Sequence, residues 1–260
     1  MIDLHSHLIP GVDDGASTLE ESRAALKTMR SQGVTSLVTT SHLDGSLTLQ
    51  PELLASRLDE IDAGWSQLEQ MAATEFPKLR LQRGLEVMIN TPEPDLSDPR
   101  VRLAGTSFVL VEFPYMTVPP NSAEAIFNLR MKGWNPVIAH PERYSGVDDG
   151  LEVVDEWRRV GGLLQVNSGS LLGRYGDQAK STAWRLLGRG WATYIAGDYH
   201  ARGSFHSGAA REKLAGKGGA EQATLLLQTN PARLLEDTPP LEVAPLQGRD
   251  RSFWQRLLGG

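Results

Sequence analysis

Residues 1–7 read MIDLHSH, a short apolar run that ends in two histidines two positions apart. Side chains at positions i and i+2 of a strand point to the same face, so His5 and His7 can reach one point in space. The whole chain has six histidines, and two of them stand in this opening segment. The segment therefore predicts a strand that carries part of a site at its end.

Similar strand-like runs recur along the chain and alternate with helical patterns. The predicted strands cover residues 2–6, 35–41, 79–87, 107–112, 135–139, 162–167 and 191–196. Strands that alternate with helices pair in parallel, because each helix returns the chain to the same end of the sheet. Seven such strands favour an α/β fold in which a parallel sheet closes into a barrel.

The helical segments have recognisable ends. Ser17 and Glu20 have the spacing of a capping box, and Gly33 suits the end of the first helix. Further helices are predicted over residues 51–73, 121–132, 149–160, 178–189 and 220–228, and a last short helix opens at residue 230. We expect one barrel domain over residues 1–236.

Residues 237–260 contain three prolines and no periodic pattern, which predicts an extended C-terminal tail. Near its end, Phe253 and Trp254 stand among several arginines. This small amphipathic patch either packs back on the barrel or docks on a partner or a membrane surface.

The composition excludes several classes of function. A net charge of -6 gives no general basic surface for nucleic acid. The chain has no cysteine, which excludes disulfides, thiolate metal ligands and a cysteine nucleophile. No apolar stretch is long enough for a transmembrane segment and no signal peptide is recognisable, so we expect a cytoplasmic protein. The sequence leaves the oligomeric state open.

Side chains that bind metals stand at nearly every predicted strand end: His5, His7, His42, Glu86, Glu112, His140, Asp198 and His200. In a parallel barrel these ends meet on one face, where barrel enzymes have their active sites. Asp14, in the segment GVDDG, joins them if the loop after the first strand folds over the barrel mouth. The neighbouring Asp13 either shapes the turn or donates a proton.

These nine side chains, five imidazoles and four carboxylates, suit two or three divalent cations. Crowded carboxylates repel each other unless cations neutralise them, and nitrogen and oxygen donors point to Mn²⁺, Fe²⁺ or Zn²⁺ without choosing among them. Clustered metals convert a bound water to hydroxide near neutral pH and stabilise displacement at phosphorus, which favours phosphoester hydrolysis. Arg143, three residues after His140 in HPER, supplies a cation for the phosphate.

The motifs MIDLHSH, GVDDG, TTSH, GLEV, LVEFP, VIAHPERY, QVNSGSL and GDYH follow one another between residue 1 and about residue 235. In this order they resemble the polymerase and histidinol phosphatase (PHP) superfamily. Within it, they are similar to the bacterial manganese-dependent protein-tyrosine phosphatases of capsule and exopolysaccharide biosynthesis. The resemblance implies a distorted (β/α)7 TIM-like barrel with a centre of three metals.

The resemblance also implies how the ligands are shared. One ion would bind His5, His7, Glu86 and Asp198, a second Glu86, Glu112 and His140, and a third Asp14, His42 and His200. Glu86 would then bridge two ions, and Arg143 would bind phosphate. The implied reaction is attack by a metal-bound hydroxide on phosphotyrosine, with a bacterial tyrosine autokinase as the protein substrate.

The chain departs from the family pattern at one place. Relatives carry a second phosphate-contacting arginine five residues after the last histidine, whereas Phe205 stands there in this chain. Arg202 is a candidate for the second phosphate contact, and His206 is the alternative. The departure leaves open a small-molecule phosphomonoesterase that acts on histidinol phosphate or a nucleotide. A non-catalytic binding protein stabilised by metals is the alternative from another class.

Overall fold

The structure is a computed structural model, and it describes residues 1–147 and 150–246. In this part of the chain, seven strands lie side by side in chain order and every neighbouring pair is parallel. The strands are β1 (Ile2–Asp3), β2 (Ser36–Asp44), β3 (Arg80–Met88), β4 (Phe108–Glu112), β5 (Asn135–Ala139), β6 (Leu163–Asn167) and β7 (Tyr194–Ala196).

The chain segments that follow β1 and β7 pair with each other and nearly close the sheet into a barrel. The amide of Asp198 donates to the carbonyl of His5 at 2.8 Å, and that of His7 donates to the carbonyl of Tyr199 at 2.9 Å. The regular ladder of β1 ends at Asp3, so the predicted strand over residues 2–6 continues only as irregular pairing. The predicted distorted (β/α)7 barrel is confirmed.

The strands β4 and β5 are largely apolar on both faces because one face fills the barrel interior and the other packs under helices. Val109, Leu110 and Val111 of β4 are all fully buried, and so is Ile138 of β5. The longest ladder joins β2 to β3 and runs from Ser36 opposite Arg80 to Asp44 opposite Met88. This register fixes where the side chains at the C-terminal ends of both strands emerge.

The helices surround this sheet. They are α1 (Leu19–Ser31), α2 (Pro51–Glu75), α3 (Ser122–Met131), α4 (Glu152–Arg159), α5 (Ser168–Leu172), α6 (Gly176–Gly188), α7 (Ser207–Gly216), α8 (Ala220–Thr224) and α9 (Asn230–Leu235). A π-helical turn over Leu225–Thr229 joins α8 to α9. The sequence did not predict α5 or α7, because α5 has a single turn and the small residues of α7 form no clear apolar stripe.

The cap of α1 lies one residue later than predicted. The Thr18 hydroxyl accepts from the amide of Glu21 at 3.2 Å, and the Glu21 carboxylate accepts from the amide of Ser17 at 2.7 Å. The sequence STLEE offers both registers, and the extended backbone of Thr18 selects the second. Gly33, with φ of +88°, follows the helix as predicted.

The described part of the tail packs back on the barrel. Residues 238–246 contain no helix or strand, but the amide of Leu241 donates to Asn230 Oδ1 at 2.8 Å, and Gln222 Nε2 donates to the carbonyl of Ala244 at 2.6 Å. The predicted aromatic patch at Phe253 and Trp254 lies outside the described residues, and a domain boundary at residue 236 stays a prediction. Among the described helices, none has the length and hydropathy to cross a membrane.

Candidate metal centre

The nine predicted ligands meet at the C-terminal mouth of the barrel, and we call this set the candidate metal centre. Donor atoms of eight of them form three overlapping groups, and within each group all donor atoms lie within 4.8 Å of one another. The groups are His5, His7, Glu86 and Asp198; His42, Glu86 and Glu112; and His7, Asp14, His42 and His200. The ninth, His140, lies 3.0 Å from Glu86.

Glu86 connects these groups. Its Oε2 lies 3.0 Å from His5 Nε2 and 3.3 Å from His42 Nδ1, while its Oε1 lies 3.0 Å from His140 Nε2. The carboxylate is almost fully buried. Burial acts to raise the pKa of Glu86, but the surrounding imidazoles, His5 first, outweigh burial and hold that pKa well below its usual value.

The grouping agrees in part with the sharing that the family resemblance implies. The set of His5, His7, Glu86 and Asp198 is the same, and the set of Asp14, His42 and His200 gains His7. The third set differs, because His42 rather than His140 lies with Glu86 and Glu112. Three residues, His7, His42 and Glu86, each belong to two of the groups.

The centre opens to solvent on one side. The His5 and His7 side chains are fully buried, whereas that of His42 is 38% exposed and that of Asp14 66% exposed. Asp14 lies 3.4 Å from His42 and 3.3 Å from His200, so the loop after β1 does fold over the mouth. This side gives a substrate access to the centre.

Asp13 holds this loop and one imidazole in place. Its carboxylate accepts from His7 Nδ1 at 2.9 Å, from the amide of Gly15 at 2.9 Å and from the amide of His42 at 3.2 Å. A Cβ at Gly15 would lie 2.2 Å from the carbonyl oxygen of His7, so only glycine fits. Burial acts to raise the pKa of Asp13, but the bond to His7 outweighs burial and lowers it. With these three contacts Asp13 orients His7 and shapes the turn, which favours that role over a proton donor.

Two side chains of β6 orient the centre from below, and neither was predicted. Gln165 Oε1 lies 2.8 Å from His5 Nδ1, and Asn167 Nδ2 donates to Asp198 Oδ2 at 3.1 Å. The signal in the sequence is QVN, where two amides stand at i and i+2 of an apolar strand and so share one face.

Arg143 lies beside the centre, as predicted. Its Nη1 donates to Asp198 Oδ2 at 2.5 Å, and its guanidinium carbon stands 4.1 Å from the centre of the Tyr175 ring. The other oxygen of Asp198 faces His5 at 3.3 Å. His140 and Asp198 both have positive φ, of +37° and +46°, which is backbone strain of the kind found at functional sites.

The electrostatics fit bound cations. Burial alone would lower the pKa of His5, but Glu86 and Asp198 outweigh it and raise that pKa to about 9. His5 in turn helps to hold the pKa of Asp198 below its usual range, although burial acts to raise it. The buried carboxylates thus require positive charge, which protons or divalent cations can supply. Nitrogen and oxygen donors suit Mn²⁺, Fe²⁺ or Zn²⁺.

Two cavities flank the centre. One, of about 330 Å³ and here called the arginine cavity, is lined by Arg143, Arg174 and Arg202 together with Asp198 and His200. The other, of about 610 Å³ and here called the apolar cleft, is formed by residues 88–92 at the end of β3 and by segments after β4 that include Phe113, Tyr115 and Pro119. Tyr115 is 95% exposed at its rim. The sequence predicted neither the cavities nor a role for Arg174.

The loop after β7 has two features that bear on phosphate binding. Arg202 is exposed and lines the arginine cavity. Phe205 is 3% exposed, packs 5.4 Å from the ring of Tyr199, and has its carbonyl bound by Gln32 Nε2 at 2.8 Å. Position 205 therefore belongs to the core in this chain.

Comparison with known proteins gives several matches in sequence. The tyrosine-protein phosphatase YwqE of Bacillus subtilis (strain 168) is 30% identical over 207 residues, which cover 77% of either chain. The tyrosine-protein phosphatase CpsB of Streptococcus agalactiae serotype V is 32% identical over 209 residues, covering 77% of this chain and 83% of that one.

Solved structures agree with the sequence matches. A crystal structure from work on YwqE and Streptococcus pneumoniae CpsB, described as metal-dependent tyrosine phosphatases, has a TM-score of 0.79 at 28% identity, covering 95% of this chain and 100% of its own. Histidinol phosphate phosphatase of Lactococcus lactis has a TM-score of 0.52 at 15% identity over 87% of this chain and 96% of its own, and so shares the fold. A model of the family described as capsular polysaccharide synthesis, CpsB/CapC, matches residues 1–236, and the chain therefore belongs to the CpsB/CapC family.

Proposed function

We propose that this protein is a metal-dependent protein-tyrosine phosphatase. The observation that carries the proposal is the meeting of five histidines and four carboxylates at the barrel mouth, with Arg143 bound to one of those carboxylates. The names of YwqE and CpsB support the same activity, since both are called tyrosine-protein phosphatases.

In this proposal the centre holds two or three divalent cations, with Mn²⁺ as the first candidate and Fe²⁺ or Zn²⁺ as the alternatives. Their ligands are His5, His7, Asp14, His42, Glu86, Glu112, His140, Asp198 and His200. Bound metals supply Lewis acidity and a nucleophile that is active near neutral pH. Asp13 and Gln165 keep two of the imidazoles in their tautomers, because each binds the Nδ1 that faces away from the centre.

Arg143 binds the phosphoryl group. Its guanidinium is held by Asp198 on one side and by the ring of Tyr175 on another, so it loses little freedom when a phosphate arrives. A planar guanidinium also matches two phosphate oxygens at once. Its tether to Asp198, which faces the buried imidazoles, places the phosphate next to the metals.

The apolar cleft supports a polypeptide substrate. It begins directly beyond the centre, because Phe113 follows Glu112 and Met88 stands two residues after Glu86. The exposed ring of Tyr115 offers a surface for the residues that flank a phosphotyrosine. A small phosphate ester would need no such surface.

The family setting supports a bacterial tyrosine autokinase of capsular or exopolysaccharide synthesis as the protein substrate. We place the reaction in the cytoplasm, where the absence of cysteine carries no disadvantage. A chain of net charge -6 binds nucleic acid poorly, so we propose no nucleic-acid partner.

A substrate panel tests the proposal. Purified protein reconstituted with Mn²⁺ is given a phosphotyrosyl peptide, the matching phosphoseryl peptide, histidinol phosphate and a nucleoside monophosphate, with Glu86→Ala as the control for contaminating phosphatases. We expect the phosphotyrosyl peptide to give the highest kcat/KM. A higher value for histidinol phosphate or the nucleotide would favour the small-molecule alternative, and turnover of none of them would favour a binding protein.

A further inference from the structure

We propose that Arg174 is the second guanidinium that binds the phosphoryl group, and that it shares the ring of Tyr175 with Arg143. The proposal rests on the phosphomonoesterase activity proposed above, and it assigns a role to a residue between α5 and α6. It would make the phosphate subsite a pair of arginines from two different loops.

The loop after β7 does not offer such a cation at position 205. Phe205 packs against Tyr199, and a Cβ placed on Gly197 would lie only 2.6 Å from its ring. A charged side chain at this position would have to be buried among apolar groups, which is costly. A second cation for the phosphate would therefore come from a residue that lines the arginine cavity, which Phe205 does not.

Arg174 lines this cavity beside Tyr175. Its guanidinium carbon lies 5.9 Å from the centre of the Tyr175 ring, which faces Arg143 at 4.1 Å. A Cβ built on Gly203 would lie 3.5 Å from both terminal nitrogens of Arg174. The guanidinium thus lies over the loop after β7, between Tyr175 and Gly203.

Arg143 has a carboxylate partner for its charge, and Arg174 has none among the described residues. Arg143 is bound to Asp198 at 2.5 Å, so part of its charge is already compensated. Within residues 1–147 and 150–246, no carboxylate forms an ion pair with Arg174. Arg174 can therefore pair with an anion in the cavity, and a phosphate dianion bound beside Arg143 would be such an anion.

Arg202 lines the same cavity but is a weaker candidate. Within the described ranges it makes no ion pair, hydrogen bond or ring contact that would hold its guanidinium in place. Ordering a free arginine costs side-chain entropy, whereas the guanidinium of Arg174 already lies near the Tyr175 ring, 5.9 Å from its centre.

Four variants test the proposal: Arg174→Ala, Arg174→Lys, Arg202→Ala and, as control, Arg159→Ala. Arg159 is an exposed arginine of α4 outside the cavity, so its loss changes the net charge equally. The readouts are the KM and kcat for 4-nitrophenyl phosphate, the inhibition constant of inorganic phosphate, the bound metal and the Tm.

We expect Arg174→Ala to raise both the KM and the phosphate inhibition constant about tenfold, the loss typical of one hydrogen bond to a charged group. Metal content and Tm should stay at the wild-type values because the side chain is exposed. Arg174→Lys should recover only part of the binding, and Arg202→Ala and Arg159→Ala should change it less than about twofold.

An unchanged phosphate inhibition constant in Arg174→Ala would overturn the proposal. A tenfold higher inhibition constant in Arg202→Ala instead would assign the phosphate contact to Arg202. Either result leaves the proposed activity intact as long as the wild-type protein hydrolyses the ester. If the wild-type protein neither hydrolyses it nor binds phosphate, the proposed function itself fails.

Discussion

Replacing Glu86 with glutamine removes one negative charge from the candidate metal centre and keeps the volume of the side chain. Glu86 belongs to two of the three donor groups and also touches His140, so no other residue of the centre has as many imidazole neighbours among the contacts described above. The substitution therefore weakens two groups at once.

The expected loss follows from this position. Removal of a residue that only orients a metal ligand lowers the metal affinity about 10- to 100-fold. Loss of a shared donor should therefore lower the affinity at least about 100-fold, which is about 2.8 kcal/mol of binding free energy. We expect Glu86→Gln to bind at least one ion fewer per chain than the wild-type protein, and its turnover of 4-nitrophenyl phosphate to fall at least about 100-fold.

Titration calorimetry with Mn²⁺ and elemental analysis of the dialysed protein measure this loss. Glu142→Gln is the matched control, because Glu142 is an equally buried glutamate that binds Ser170 and the amide of Asn167 and belongs to none of the donor groups. Its metal content should equal that of the wild-type protein. A Glu86→Gln variant with the wild-type number of ions and wild-type affinity would show that Glu86 is not a metal ligand.

Four further results are expected. Chelation should lower the Tm by roughly 10 °C in scanning calorimetry, because the metals bind only the folded chain, and an unchanged Tm would contradict metal binding at the centre. Arg143→Lys should raise the KM for 4-nitrophenyl phosphate at least about tenfold, because an ammonium cannot bind two phosphate oxygens in parallel; an unchanged KM would exclude a phosphate contact. Tyr115→Ala should lower kcat/KM about tenfold for a phosphotyrosyl peptide and leave 4-nitrophenyl phosphate unaffected, whereas Met131→Ala, which removes another exposed apolar side chain, should change neither. Mn²⁺ binding should release protons and weaken on acidification, because His5, with its metal-free pKa raised to about 9, must lose a proton to bind the metal. Calorimetry in buffers of different ionisation enthalpy measures the proton release. Binding without proton release would contradict this linkage.

The barrel and the meeting of the nine side chains were predictable from the sequence for one physical reason. Parallel strands buried on both faces are long apolar runs, and their C-terminal ends must lie on one face of a barrel. A polar side chain at such an end, such as Glu112 after FVLV, has only that face to occupy. Whether these side chains bind metals stays a proposal.

The rest depends on contacts between distant parts of the chain. Asp13 looks like a turn residue until the loop folds onto His7, and Arg174 stands 31 positions from Arg143 in the sequence although both face Tyr175. The predicted N-cap of α1 was wrong by one residue because two overlapping capping boxes fit the same five residues. Local patterns do not resolve such cases, since tertiary packing decides among them.

The most direct measurement is phosphate release from a phosphotyrosyl peptide by protein stripped of metal with a chelator, before and after addition of Mn²⁺. We expect no turnover by the stripped protein and full turnover after reconstitution. Equal turnover in both states, or none in a reconstituted protein that has bound two or three ions, would contradict a metal-dependent tyrosine phosphatase.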